Sequence, residues 1–300
     1  SICGIISTIG GFKMSINWNT SLYCLIGNPI DKSLSPIIHN EIFKILGKNS
    51  IYLAFNVEES KLKDVIEGLK AINVEGFNVT IPYKKEIIKY LDDLYPEAKT
   101  LGAVNTVKNQ NGKLIGYNTD GQGFLQTLID NGIDIKDKNV LLLGAGGAAY
   151  AIGITLSMNG IKSIYIVNRT KEKAIKLGRD IKRLNNNVSI STGDFSLKGI
   201  NKKEIDIIIN ATSIGMYPLE NMSPIELNGF KENPIVYDIV YKPMETKLIQ
   251  DAKSRGFKTF NGISMLLDQA ILSQKIWLNL EKKYLEKLGK VEGILAGYVE

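Results

Sequence analysis

Apolar and polar positions alternate in short blocks along the first third of the chain. The apolar runs LYCLIG (22–27), IYLAFNV (51–57) and GFNVTI (76–81) predict buried strands, and residues 35–47 and 60–71 predict helices between them. Residues 103–118 predict a hairpin, because Asn111-Gly112 is a favoured turn dipeptide. Strands that alternate with helices indicate a mostly parallel sheet covered on both faces. We therefore expect an α/β domain over residues 14–118.

A similar alternation continues along the rest of the chain. A helix near residues 121–131 precedes a continuous apolar strand, the glycine-rich stretch GAGGAA (144–149) and a further helix. SIYIVNRT (163–170), IDIIINATSIGM (205–216) and PIVYDIVY (234–241) predict the other strands of a doubly wound, Rossmann-type domain over residues 119–258. Residues 259–300 should form helices that return to the first domain. Met14 is a candidate start, with residues 1–13 an extension outside the fold.

Composition agrees with a two-domain protein, because 300 residues exceed what one core usually organises. The formal charge of +6 comes from lysines spread along the chain, which favours an anionic small molecule over a nucleic-acid partner. No apolar run approaches the ~20 residues that cross a bilayer, and residues 1–13 lack the features of a signal peptide. We expect a soluble protein that binds no membrane. A homodimer is compatible with the sequence, which does not fix the oligomeric state.

The chain has two cysteines, Cys3 and Cys24, and one histidine, His39. These are too few for a disulfide framework and lack the spacing of metal ligands. The sequence therefore predicts no metal site, and the cysteine content fits a reducing cytoplasm.

The glycine-rich stretch has the G-x-G-x-x-A spacing of a dinucleotide-binding loop. Gly144 permits a tight turn, Gly146 lets the backbone approach a pyrophosphate, and Ala149 keeps helix and strand close. The helix start behind them would present free N–H groups to the phosphates. The predicted contacts in this loop are Gly144, Ala145, Gly146, Gly147, Ala148 and Ala149.

The end of the next predicted strand favours NADP over NAD. An NAD site usually has an acidic residue there for the ribose 2′-hydroxyl, whereas an NADP site needs cations for the 2′-phosphate. This chain has no carboxylate at the strand end, and its predicted cofactor contacts there are Asn168, Arg169, Thr170 and Lys173. Arg169 and Lys173 could instead be ordinary exposed residues at a helix start.

Four polar loops follow strands and could bind a polyhydroxylated acid: GNPIDKSLSP, NVTIPYK, GAVNT and YNTDG. Ser35 before Pro36 is typical of a helix N-cap followed by proline at the first helical position, and Ser33 is not needed for that cap. We interpret both serines as carboxylate donors, with a purely structural role as the alternative. His39 lies one turn inside the same helix, which favours a structural role.

In order along the chain, these loops resemble those of the shikimate dehydrogenases. The matching motifs are GNPIxxSLSPxxHN, GFNVTIPYK, GAVNT, GYNTDG, GAGGAA, NRT, INATSIGM and GISMLLDQA. The resemblance spans nearly the whole chain apart from the first residues and the extreme C-terminus. It implies reduction of 3-dehydroshikimate to shikimate with NADPH, in the pathway to aromatic amino acids.

The same resemblance implies roles for individual residues. The catalytic pair would be Lys84 and Asp120. The substrate contacts would be Ser33, Ser35, Asn78, Thr80, Asn105 and Gln269, with Tyr241 near them. The nicotinamide side would be lined by Ala211, Thr212, Ser213 and Met216, with Gly262 and Met265 as further cofactor contacts.

Reducing a ketone requires a positioned proton donor, which Lys84 supplies in this interpretation. Asp120 would accept a hydrogen bond from a ring hydroxyl, although a helix N-cap is the structural alternative. Lysine must lose its proton to act as a base, so we expect faster alcohol oxidation at alkaline pH. The competing hypotheses are a quinate/shikimate dehydrogenase that uses NAD, a sensor of NADPH or a shikimate-like acid without turnover, and a folate-pathway dehydrogenase.

Overall fold

The computed structural model describes residues 16–280 and Gly293, so the predicted extension 1–13 and most of the chain after residue 280 lie outside it. The described residues form two compact units. The first unit comprises residues 16–118 and 270–280, and the second comprises residues 119–269. Among these residues, no helix combines the length and the apolar character that a membrane crossing requires.

The first unit contains a six-stranded mixed sheet in the order β2-β1-β3-β5-β6-β4. Strand β1 pairs in parallel with β2 and β3, and β5 is antiparallel to both β3 and β6. Two short 3-10 helices occur at Glu59–Lys61 and Glu86–Tyr90. The other elements are β1 (Ser21–Gly27), α1 (Ser35–Ile45), β2 (Ser50–Asn56), α2 (Leu62–Ala71), β3 (Gly76–Val79), β4 (Asp93–Leu94), α3 (Pro96–Leu101), β5 (Thr106–Gln110) and β6 (Lys113–Tyr117).

The apolar pattern explains the core of this unit. Leu62, Ile66 and Leu69 recur at helical spacing along α2, so one face of that helix is buried against the sheet. The hairpin between β5 and β6 turns at Asn111 and Gly112, whose φ angles are 53° and 87°. Positive φ at both positions is the requirement that makes this dipeptide a good turn, and the predicted hairpin is confirmed.

The second unit contains a six-stranded parallel sheet in the order β12-β11-β10-β7-β8-β9. Followed from β9, this is the 3-2-1-4-5-6 order of doubly wound dinucleotide-binding folds. A short 3-10 helix lies at Lys202–Glu204. The other elements are α4 (Asp120–Asp130), β7 (Asn139–Leu143), α5 (Gly147–Met158), β8 (Ser163–Val167), α6 (Lys171–Leu184), β9 (Ser189–Gly193), β10 (Ile207–Asn210), β11 (Ile235–Asp238), α7 (Lys247–Ser254), β12 (Lys258–Phe260) and α8 (Gly262–Leu278).

The predicted fold class is confirmed, with differences at its edges. Strands β4 and β12 are short and β9 is largely polar, so the apolar pattern did not reveal these three strands. Helix α8 belongs to the second unit up to Gln269 and to the first unit from Ala270. The predicted domain bounds, including a return to the first domain from residue 259, stay predictions.

Candidate functional site

The glycine-rich loop lies between β7 and α5, where the strand order reverses. Gly144 has a φ angle of 109°, and a Cβ atom there would lie 2.8 Å from the Ala211 carbonyl oxygen, so only glycine fits. The Ala145 N–H donates to Asn168 Oδ1 at 3.2 Å, which ties the loop to the end of β8. A Cβ on Gly146 would meet no heavy atom within 4 Å. The loop thus presents open backbone at the start of α5, as a pyrophosphate site requires.

A cleft of about 580 Å³ opens beside this loop. Ten of the predicted cofactor contacts line it: Gly144, Ala145, Gly146, Asn168, Arg169, Thr170, Lys173, Ala211, Thr212 and Ser213. The charged side chains among the described residues that line the cleft, Arg169 and Lys173, are both cations. The chemistry of the cleft therefore fits a phosphorylated ribose better than a bare 2′-hydroxyl.

Four further residues line the cleft that the sequence did not suggest: Phe195, Ile214, Leu219 and Met222. Phe195 follows β9, so overlooking that strand also hid its position at the cleft. Leu219 and Met222 lie in an irregular segment after β10, for which periodicity carries no signal.

The other predicted cofactor residues do not line the cleft. Gly147 and Ala148 open α5, and Ala149 is fully buried beneath the loop, in agreement with a packing role. Met216 is exposed, whereas Met265 is buried in α8. Gly262 packs so closely that a Cβ atom would lie 2.0 Å from the Ile239 carbonyl oxygen.

In the first unit, the two serines at α1 do not divide their roles as predicted. Ser35 is the first helical residue, Leu34 occupies the cap position, and its side chain makes no capping bond. Ser33 Oγ instead accepts from the Ser35 N–H at 3.3 Å. The predicted N-cap at Ser35 is wrong by one residue, because the helix begins at Ser35 and Leu34 occupies the cap position. Ser33, thought unnecessary for the helix start, satisfies one of its N–H groups.

Asn78 and Asn105 lie in neighbouring segments of the sheet and share a buried network. Asn78 Nδ2 donates to the Asn105 carbonyl and to Thr106 Oγ1, both at 3.0 Å. Asn78 Oδ1 accepts from the Tyr52 hydroxyl at 2.8 Å. Thr80 is anchored through its own N–H, which donates to the Ile26 carbonyl at 3.0 Å. Three predicted substrate contacts thus lie on rigid backbone at strand ends.

Lys84 differs from its neighbour Lys85 in its surroundings. Lys84 is partly buried, whereas Lys85 is exposed. The Lys84 carbonyl accepts from the Val104 N–H at 2.7 Å, which holds this residue beside the segment that carries Asn105. Lys84 is therefore fixed in position relative to the predicted substrate contacts of its own unit.

His39 is completely buried, as its expected structural role requires. Its ring stacks on Tyr52 with centroids 4.2 Å apart, and its Nδ1 accepts from Gln274 Nε2 at 3.0 Å. Burial lowers the pKa of His39 to about 3. The imidazole is thus neutral at ordinary pH and unsuited to proton transfer there.

In the second unit, Asp120 is the first residue of α4, and Thr119 occupies the cap position. The alternative role of Asp120 as N-cap is therefore wrong by one residue. Asp120 is 8% exposed and lies in the first turn of the helix. One turn farther on, a Cβ on Gly123 would lie 2.8 Å from the Gln269 backbone nitrogen. Asp120 and Gln269 therefore lie on two helices, α4 and α8, that are in close contact. Tyr241, which follows β11, is half-buried, and burial raises its pKa.

A parallel sheet of this order, with a glycine-rich loop and a cationic cleft, is typical of the dinucleotide-binding domains of dehydrogenases. Family models agree: a shikimate dehydrogenase substrate binding domain matches residues 25–107, and a shikimate / quinate 5-dehydrogenase matches residues 126–240. The chain belongs to the shikimate dehydrogenase family, and the resemblance of its motifs is confirmed.

Individual relatives support the same assignment. Shikimate dehydrogenase (NADP(+)) from Alkaliphilus oremlandii is 45% identical over 261 residues, which cover 86% of this chain and 91% of that protein. The structure of shikimate 5-dehydrogenase from Listeria monocytogenes in complex with shikimate and NAD has a TM-score of 0.86 at 39% identity, covering 93% of this chain and 98% of that one. The enzyme from Thermus thermophilus in complex with NADP(H) and shikimate has a TM-score of 0.80 at 30% identity, covering 91% and 98%.

Proposed function

We propose that this protein catalyses the reversible reduction of 3-dehydroshikimate to shikimate with NADPH. Membership of the shikimate dehydrogenase family supports the reaction. The single structural observation that carries the cofactor choice is the pair of cations, Arg169 and Lys173, on the wall of the glycine-loop cleft. The open backbone at Gly146 and the start of α5 would hold the pyrophosphate.

When bound, the nicotinamide supplies a hydride to the ketone carbon. The Lys84 ammonium donates a proton to the ketone oxygen and takes it back in the reverse reaction. Asp120 accepts a hydrogen bond from a ring hydroxyl and so fixes which carbon is presented. Ser33 and Ser35 bind the substrate carboxylate, and the remaining proposed substrate contacts are Asn78, Thr80, Asn105, Tyr241 and Gln269.

The overall proposal is tested by absorbance at 340 nm with shikimate or quinate and with NADP⁺ or NAD⁺. We expect the highest kcat/KM for shikimate with NADP⁺, and a rate that rises toward alkaline pH. Preference for quinate with NAD⁺ would instead identify a quinate/shikimate dehydrogenase. Binding of NADPH without turnover of either acid would identify a sensor.

The role of Lys84 is tested by Lys84→Ala with Lys85→Ala as the matched control. Lys84→Ala should lower kcat on the order of 10² to 10⁴-fold and change KM less, because its proton moves only in the chemical step. Lys85→Ala should retain wild-type kinetics, since that side chain is exposed. An unchanged kcat in Lys84→Ala would remove this residue from the mechanism.

Cofactor preference is tested by Arg169→Ala with Arg179→Ala as control, since Arg179 is exposed on α6 and does not line the cleft. Loss of a hydrogen bond to a charged group costs about 1.5–3 kcal/mol. Arg169→Ala should therefore raise KM for NADP⁺ about 10- to 100-fold and leave KM for NAD⁺ nearly unchanged. An equal effect on both cofactors would show that Arg169 does not bind the 2′-phosphate.

A further inference from the structure

A buried carboxylate in the second unit connects the segments that carry the predicted nicotinamide contacts. Asp238, the last residue of β11, is completely buried. Its Oδ1 accepts from Asn210 Nδ2 at 2.9 Å and from the Val240 N–H at 3.0 Å. Its Oδ2 accepts from Thr246 Oγ1 at 2.6 Å. The two oxygens therefore make different contacts. Oδ1 binds Asn210 and Val240, and Oδ2 binds Thr246, the residue that caps α7.

The Asn210 side chain extends this constraint into residues 211–216. Asn210 Nδ2 also donates to the Ile214 carbonyl at 3.0 Å. Its Oδ1 accepts from the Thr212 N–H at 3.1 Å and from Thr212 Oγ1 at 2.7 Å. Thr212 Oγ1 in turn accepts from the Ile214 N–H at 3.1 Å. Since Thr212 and Ile214 line the cleft, the orientation of the Asn210 amide sets the shape of one cleft wall.

Val240 connects Asp238 to the start of α8. Its carbonyl accepts from the Gly262 N–H at 3.0 Å, and Gly262 leaves no room for a Cβ beside the Ile239 carbonyl. Residues 239–241 and the start of α8 are therefore held together. These segments carry Tyr241, Gly262 and Met265, which belong to the proposed substrate and cofactor contacts.

We propose that Asp238 is a positioning residue for hydride transfer, because one of its oxygens fixes both the 211–216 and the 239–241 segments and thereby the orientation of the nicotinamide ring. The inference rests on the proposed function, since it assumes that these segments flank the ring. Asp238 acts through Asn210 and Val240 and need not touch substrate or cofactor. Its charge strengthens the hydrogen bonds that it accepts, which makes the two segments stiffer than a neutral acceptor would.

The first test compares Asp238→Ala, Asp238→Asn and Thr246→Val by single-turnover measurement of NADPH oxidation. The rate constant reports on the competent enzyme, whereas loss of folded protein lowers only the amplitude. Because a misplacement of ~1 Å can cost 10²-fold, Asp238→Ala should slow the rate constant about 10²-fold. Asp238→Asn keeps an acceptor oxygen for Asn210 and Val240, so it should recover most of the rate constant and remains informative if Asp238→Ala does not fold.

Thr246→Val is the matched control, because it breaks only the contact with Oδ2 and the cap of α7. It should lower stability while leaving the single-turnover rate constant close to that of the wild type. If Asp238→Ala retains the wild-type rate constant, or if Thr246→Val slows it equally, the role of Asp238 is purely structural and the inference is overturned.

A second measurement does not depend on the reaction. Amide hydrogen exchange at Thr212, Ile214 and Val240 should be faster in Asp238→Asn than in Thr246→Val. Asp238→Asn keeps the acceptor oxygen but removes its charge, which weakens the bonds from the Val240 N–H and Asn210 Nδ2. Asn210 in turn accepts from the Thr212 N–H, and Thr212 Oγ1 accepts from the Ile214 N–H. A wild-type protein without turnover of shikimate would reject the proposed function while leaving this comparison intact. Equal protection of these amides in both variants would reject the inference about Asp238, whatever the activity.

Discussion

Each unit has a buried polar centre beneath its proposed ligand contacts, and the two centres differ in charge. The His39 centre consists of His39, Tyr52, Asn78 and Gln274, and its side chains are neutral or kept neutral by burial. The Asp238 centre consists of Asn210, Asp238 and Thr246, around an acid whose pKa burial raises to about 6. Both centres fix backbone segments, but lowering the pH should change the free energy of unfolding in opposite directions through His39 and through Asp238.

The direction of each effect depends on whether the folded or the unfolded protein binds more protons at that residue. Between pH 6.5 and 3, His39 is protonated in the unfolded chain and neutral in the folded one, so acid destabilises the fold through this residue. Between pH 6 and 3.8, Asp238 is protonated in the folded chain and ionised in the unfolded one. Acid therefore stabilises the fold through Asp238, and the cost of its buried charge is largest above pH 6.

Alanine substitutions at two tightly packed glycines should have the largest effects on stability, because one such glycine lies beside each centre. A Cβ on Gly262 would lie 2.0 Å from the Ile239 carbonyl oxygen, and one on Gly76 would lie 2.3 Å from Trp277 Nε1. Gly262→Ala and Gly76→Ala should each lower the free energy of unfolding by about 3 kcal/mol, the upper part of the usual range for overpacking.

Urea unfolding followed by circular dichroism measures both changes, and Gly68→Ala is the control. Gly68 lies in α2, and a Cβ atom added there would meet no heavy atom within 4 Å, so alanine should stabilise the helix by up to about 1 kcal/mol. A neutral effect of Gly262→Ala would show that the start of α8 can move away from Ile239, and the enclosure of the Asp238 centre would be less rigid than its geometry indicates.

The next effect in size concerns His39. Lowering the pH from 7.5 to 5 should cost the wild type about 2 kcal/mol through this residue, and His39→Phe should lose that dependence. Phenylalanine keeps a ring against Tyr52 but cannot titrate. Fluorescence of Trp277, which packs on His39, follows unfolding of the first unit in urea at the two pH values. An unchanged pH dependence in His39→Phe would mean that the imidazole accepts a proton without unfolding.

The smallest predicted effect concerns Asp238. The same change from pH 7.5 to 5 should stabilise the second unit by about 1 kcal/mol through this carboxyl, and Asp238→Asn should abolish the gain. Paired urea titrations of wild type and variant at both pH values give the difference directly. If the variant loses stability on acidification no faster than the wild type does, the carboxyl has no raised pKa and the contrast between the two centres fails.

The sequence predicted those parts of the fold and site that depend on local pattern. The strand, GAGGAA loop and helix from β7 to α5 were found because an apolar run, glycine spacing and a helical pattern agree within a few residues. Helix starts at Ser35 and Asp120 were each displaced by one residue, since several adjacent polar residues can satisfy the same N–H groups. Phe195 was not predicted, because the strand before it, β9, is largely polar.

The two buried centres could not be predicted, because they depend on contacts between distant segments. Gln274 reaches His39 across 235 positions of the chain, and Asn210 reaches Asp238 across 28. Periodicity reports which face of an element is buried and not which partner it meets. Polar residues within apolar strands, such as Asn210 and Asp238, are the sequence signal that could have drawn attention to such centres.

Cys24 gives the first unit a built-in chemical reporter. Its thiol is buried in the central strand β1, and burial raises its pKa to about 12. Alkylation requires the thiolate, so a reagent such as iodoacetamide can react with this sulfur only when the strand becomes solvated. With Cys3 replaced by serine, the rate of labelling would count the openings of the first unit under native conditions, without denaturant and without any assay of turnover.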